Sequence, residues 1–180
     1  MAFDAKLTVL GPARVAGWTC ETAEELALAR DQERALVDQI ERELSRLAGR
    51  AIRLGSPLVP AEDAAAPADL ISLPVGPAGG LGWLTPPPPG SGSHLAIPPG
   101  TQPLFIPLEF DRPFAVSHGS DRLLVASLPR ALDELSDWLS RVPPEQEAGE
   151  TRRPAHVVYA RTLASIFRAA LERGIAVELY

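Results

Sequence analysis

Acid–base or metal chemistry in this chain would have to start from its three histidines, His94 in a proline-rich stretch, His118 at a turn and His156 near the start of a helical pattern. None has the HxxxH or HExxH spacing that sets two ligands on one helical face. Cys20 is the single cysteine, so no intramolecular disulfide can form and Cys₄ or Cys₂His₂ zinc sites are out of reach of one chain. No metal and no cofactor is expected. His118-Gly119-Ser120-Asp121 has the residue types of a hydrolytic triad but the spacing of a turn, and triads are assembled from distant segments. Ser127 ends a strand pattern and starts a helix, as an α/β-hydrolase nucleophile does. The surrounding Ala126-Ser127-Leu128-Pro129-Arg130 lacks the glycines of a GxSxG elbow, so helix capping accounts for it better.

Other motifs fail on similar grounds. Gly79-Gly80-Leu81-Gly82 has no P-loop lysine and no Rossmann order of strand, turn and helix. Cys20 precedes a helix, but Glu21, Glu24 and Glu25 oppose a thiolate there, so a structural cysteine is expected. Tyr159, Arg161 and Arg168 could form an aromatic and cationic strip for single-stranded nucleic acid. The formal charge of −6 works against phosphate backbones and anionic lipid, and no RNA- or DNA-binding motif is present. Neither nucleic acid nor membrane is expected as a partner.

The elements that must carry these residues can be read from the apolar spacing. Lys6–Leu10 reads as a first strand closed by Gly11-Pro12, and residues 51–54, AIRL, as a second. Between them a helix over about 22–47 is marked by the capping-box pair Thr22 and Glu25 and by the stop Gly49. Leu26, Leu36, Val37, Ile40, Leu44 and Leu47 form its apolar set, with the 37-40-44-47 series as the seam, while its first half is polar. Residues 6–54 thus read as a strand–helix–strand unit, with a right-handed crossover if the strands are parallel neighbours.

From 55 to 100 the pattern dissolves into eleven prolines with brief apolar runs, LISLPV at 70–75 and LGWL at 81–84, that suit short edge strands. Within it, residues 84–100 carry six prolines, a stiff Pro86–Pro89 run followed by flexible Gly90–Ser93. Beyond it, 103–110, 113–119 and 122–127 read as three strands of a meander, with a tight turn at Asp111-Arg112. A helix capped by Ser127 follows, with Leu128, Leu132, Leu135, Leu139 and Val142 on its core face and Pro143-Pro144 at its end. A last helix over 154–173 stops at Gly174, and IAVELY closes the chain as a strand.

Residues 1–83 supply too little regular apolar surface for a core of their own. The two halves should therefore share one sheet, which makes 1–180 a single domain and 55–100 an irregular excursion inside it. The fold class is α/β, with α+β as the alternative: a mixed sheet of about five to seven strands packed by three helices. Lys6 is the only lysine among 17 basic residues, a bias expected of a GC-rich bacterial genome. The lone cysteine and the lack of a signal-peptide pattern or long apolar run suggest the cytoplasm.

Two functions fit. The first is a small non-enzymatic protein that binds another protein, of the accessory, regulatory or toxin-neutralising kind, through Trp18, Trp83, Leu84, His94, Leu95 and Ile97, or binds itself through the 22–47 helix. The alternative is an enzyme or small-ligand binder with residues 84–100 as a lid over a pocket holding His118, Glu109 and Asp111.

Overall fold

Two sets of apolar side chains, one on each face of a single sheet, organise the chain. The computed structural model describes residues 4–8, 10, 21–54, 70–72, 92–98, 100–142 and 155–179. Their elements are β1 (Asp4–Thr8), α1 (Ala23–Ala48), β2 (Leu70–Ser72), β3 (Gln102–Ile106), β4 (Phe114–His118), β5 (Asp121–Ser127), α2 (Leu128–Ser140), α3 (Ala155–Arg173) and β6 (Ala176–Leu179). The described strands form one mixed sheet in the order β2-β1-β6-β3-β5-β4, with β3 and β5 parallel and every other neighbouring pair antiparallel. Both halves of the chain contribute to it, as expected for an α/β protein with three helices.

Because side chains alternate along a strand, each strand feeds both faces. Leu104, Ile106, Val116, Leu123 and Val125 meet Leu36, Ile40 and Leu44 of α1 on one side. On the other, Phe105, Ala126, Val177 and Leu179 meet Leu128, Ala131 and Leu135 of α2 and Leu163, Phe167 and Ala170 of α3. The result is three layers, with the sheet between α1 and the α2/α3 pair. Burying each large aliphatic or aromatic side chain here contributes roughly 1.5–3 kcal/mol. β6, fully buried and flanked on both sides, ties the C-terminal end into the middle of the sheet.

α1 begins with the expected capping box and ends at Gly49 in the left-handed conformation, φ 64°. Its 26 residues span roughly 39 Å, against roughly 23 Å for the seven-residue β5. The helix therefore overhangs the sheet, and Leu28 and Leu47 stay exposed. The seam actually buried is Ala29, Glu33, Leu36, Ile40 and Leu44. It keeps Ile40 and Leu44 of the expected series, replaces Val37 by Leu36 and drops the exposed Leu47, and it extends toward the N-terminus through Glu33, an inward position that a hydrophobic count skips.

Two expectations are corrected. Residues 51–54 are not a strand: the Ile52 N–H donates to Ser45 Oγ (2.8 Å) and the Leu54 N–H to Glu41 Oε1 (2.8 Å). Their donors are satisfied by α1 side chains, so the segment runs back along the helix, and the strand–helix–strand unit of 6–54 does not form. β1 pairs instead with β2, inside the LISLPV run, and antiparallel.

The meander is also replaced, since β5 lies between β3 and β4. The last five residues of β5 are all buried, which requires covered faces on both sides and an interior place, whereas the half-exposed β4 tolerates an edge. The connection over 107–113 is accordingly a crossing past β5 and no tight hairpin.

The true hairpin is β4–β5. His118 pairs with Asp121 across Gly119-Ser120, and Gly119 alone in that pair has positive φ (61°), the pattern of a type II′ turn. In a two-residue hairpin the pair flanking the turn is hydrogen-bonded, so the Ala115 and Ser117 backbone groups point to the outer edge. The Ser117 N–H donates to Gln39 Oε1 of α1 (3.2 Å), and Pro113 has no donor to offer. The edge is thereby blunted at both ends of β4.

Candidate functional site

The parallel strands β3 and β5 end side by side, and the returning limb of the proline-rich excursion is fastened there. Ser127 serves both as the last residue of β5 and as the N-cap of α2, its Oγ accepting from the Arg130 N–H (3.3 Å). Its own N–H donates to Nδ1 of His94 (2.9 Å). The His94 N–H donates to Glu134 Oε1 (2.8 Å), and Ser93 Oγ donates to Glu134 Oε2 (2.5 Å) while accepting from the Leu95 N–H (3.2 Å). Glu134 stands on α2 two turns beyond the cap, so one carboxylate holds two successive residues of the limb.

Apolar packing completes the attachment. Leu95 is buried in the α2/α3 core and Ile97 packs against it. The His94 ring, on a residue only 2 % exposed, meets Phe110 edge-on at 5.4 Å, and Phe110 in turn packs on Phe114 at 5.5 Å. Gly92, at φ 72°, starts the described limb beside Asp111 and Arg112.

The hydrogen bonds fix the protonation of the ring. Since Nδ1 accepts, a neutral imidazole must carry its hydrogen on Nε2. Burial lowers the His94 pKa below its ordinary value, prevailing over the Glu134 carboxylate and the Asp111 and Phe110 carbonyls, which favour the cation. Nε2 is buried and makes no hydrogen bond of acceptable geometry. The ring addresses the Ser127 backbone and not its hydroxyl, while Ser127 is fully buried and engaged as a cap. Within this cluster the His94 ring therefore holds the Ser127 backbone in place and is not aimed at its hydroxyl.

The pocket expected around His118 is divided. Glu109 and Asp111 are largely exposed and flank Arg130 Nη2 at 3.0 and 3.4 Å, next to the His94 cluster. His118 stands at the far end of β4, four residues or roughly 13 Å of strand beyond Phe114. There its Nε2 lies 3.1 Å from Oε1 of the fully buried Glu33. That contact joins α1 to the hairpin. Between them a groove of about 370 Å³ opens at the β4 edge, lined by Ala35, Asp38, Gln39, Arg42, Glu43, Ala115 and Val116.

Of the other expected residues, Trp18, Trp83 and Leu84 lie outside the described ones. His94 and Leu95 are buried, so they anchor the limb and offer no surface. The buried seam of α1 faces the sheet. Among the described residues no cluster of His, Cys, Asp and Glu could hold a metal, and no helix is long and apolar enough to cross a membrane.

Glu33, Glu134 and Ser93 were missed by motif reading. Glu33 was detectable, since it falls four residues after Ala29 and three before Leu36 in the buried seam. Glu134 carried no such signal, because its partners are 40 and 41 residues away. No family model matches the chain, and no curated protein or solved structure matches it.

Proposed function

We propose that the chain is a small non-enzymatic bacterial protein of the cytoplasm that binds another protein, in an accessory, regulatory or toxin-neutralising role, and does so as a single domain. The observation that supports this is the double fastening of the 92–98 limb, through His94 to Ser127 and through Ser93 and His94 to Glu134. A proline-rich segment rooted on a helix N-terminus loses less conformational entropy when a partner binds than a free linker does. The proposed contacts are those expected from the sequence, Trp18, Trp83, Leu84 and Ile97, with the exposed Glu109, Asp111 and Arg130 beside the His94 cluster as a polar rim.

The test is to replace residues 84–91 by glycine and serine at constant length, keeping Ser93 and His94, and to compare partner capture by the two chains at matched thermal stability. A stoichiometric partner that the replacement loses supports the proposal. A partner retained in full removes the segment from the interface. The lid-enzyme alternative needs His118 beside Glu109 and Asp111, and no observation favours it.

A further inference from the structure

Two titratable side chains fasten the described limb of the excursion, the Glu134 carboxylate and His94, and His94 does so as a hydrogen-bond acceptor through its ring. An imidazolium has no lone pair, because both ring nitrogens carry hydrogens. A proton added at Nδ1 would set an N–H donor against the Ser127 N–H at a distance of 2.9 Å. We propose that the His94–Ser127 contact is an acid-released latch: protonation of Nδ1 breaks this hydrogen bond and frees segment 92–98 from the N-terminus of α2.

The charged groups around the ring do not offer the cation a better seat in the closed state. From α2, Glu134 is already engaged by the Ser93 hydroxyl and the His94 N–H, and Arg130 repels a second cation. From the 107–113 connection, Glu109 and Asp111 are directed at Arg130. The Phe110 ring is apolar, and the Phe110 and Asp111 carbonyls, which favour the cation, do not outweigh burial. Opening relieves the conflict, since it returns the imidazolium to water.

Opening can be local. Among 92–98 the apolar side chains held in the core are the buried Leu95 and the partly buried Ile97, so this limb adds two side chains to a core built mainly from the sheet, α2 and α3. Segments with few core contacts open at lower free energy than the whole molecule. The latch would therefore change how the proline-rich segment is presented without unfolding the sheet, and in that sense it rests on the proposed function.

The test uses the intact chain alone, so failure of the latch leaves the partner proposal standing. Amide exchange and imidazole ¹⁵N shifts are followed from about pH 7.5 to about pH 5, the interval containing the ordinary histidine range. At the upper end His94 should show the Nε2–H tautomer. On acidification the Ser127 protection factor, corrected for intrinsic exchange, should fall by about tenfold or more with the midpoint of the His94 Nδ1 titration, while Leu163 in α3 keeps its protection. His94→Asn places a non-titrating oxygen where Nδ1 stood and should hold Ser127 protection constant with pH. Should that variant not fold, the match of midpoints in the native chain decides, with His156→Gln as the control that leaves it unchanged. Constant Ser127 protection while His94 titrates, or a loss that follows another histidine or Leu163, would overturn the latch.

Discussion

At the scale of single residues, His94 carries the most consequence. Truncation to Ala leaves the Ser127 N–H buried without its acceptor and opens space beside Phe110. A loss of about 1–3 kcal/mol is expected in urea unfolding. The lowered His94 pKa has a definite sign in stability. The unfolded chain binds the proton more readily, so the contribution is present above the unfolded value near 6.5 and is lost as pH falls below it toward the folded value.

Tyr159 works at the opposite end of the scale. Burial pushes its phenol up from 10 to about 12, so the unfolded state ionises first and stability falls as pH rises between those values, by about 2 kcal/mol. Tyr159→Phe should flatten that alkaline limb in pH-dependent denaturation. For Glu33 and His118, a double-mutant cycle to Ala should give a coupling of about 0.5–3 kcal/mol, against near zero if the contact carries no energy.

Residue identity revealed where such groups could sit but not which were buried. His94 stands among glycines, serines and prolines, a neighbourhood that reads as solvated loop. What buries it is Phe110 and the cap of α2, and neither is local in sequence.

At the scale of elements, local signals fared best where the cause of the structure is local. The Thr22–Glu25 box, the Gly49 stop and the Ser127 cap are satisfied within a few residues, and all three form as their spacing implies. AIRL failed because its donors found α1 side chains, an outcome no propensity within those four residues encodes. The order of β3, β4 and β5 failed for a related reason, since adjacency in sequence competes with burial, and β5, with its run of five buried residues, takes the interior.

The hairpin offers a clean check on this scale. Gly119→Ala introduces a Cβ that meets no neighbour within 4 Å, so its cost should be purely conformational, about 1 kcal/mol, seen as a lower urea midpoint with unchanged slope. A neutral result would contradict the type II′ assignment.

At the scale of the molecule, a shared sheet was legible from the little regular apolar surface read in residues 1–83, and the sheet does join β1 and β2 to the C-terminal β6. The candidate site was legible in part: the excursion was singled out, but the fastening that gives it a fixed root depends on pairing across 33 to 41 residues. The central claim is that this root serves partner binding. It is tested most directly by titrating a captured partner against the native chain and against the chain with 84–91 replaced by glycine and serine, with Ser93 and His94 intact. The account predicts stoichiometric binding by the native chain and a loss of at least about tenfold, or 1.4 kcal/mol, on replacement. Equal affinity for both chains would contradict it.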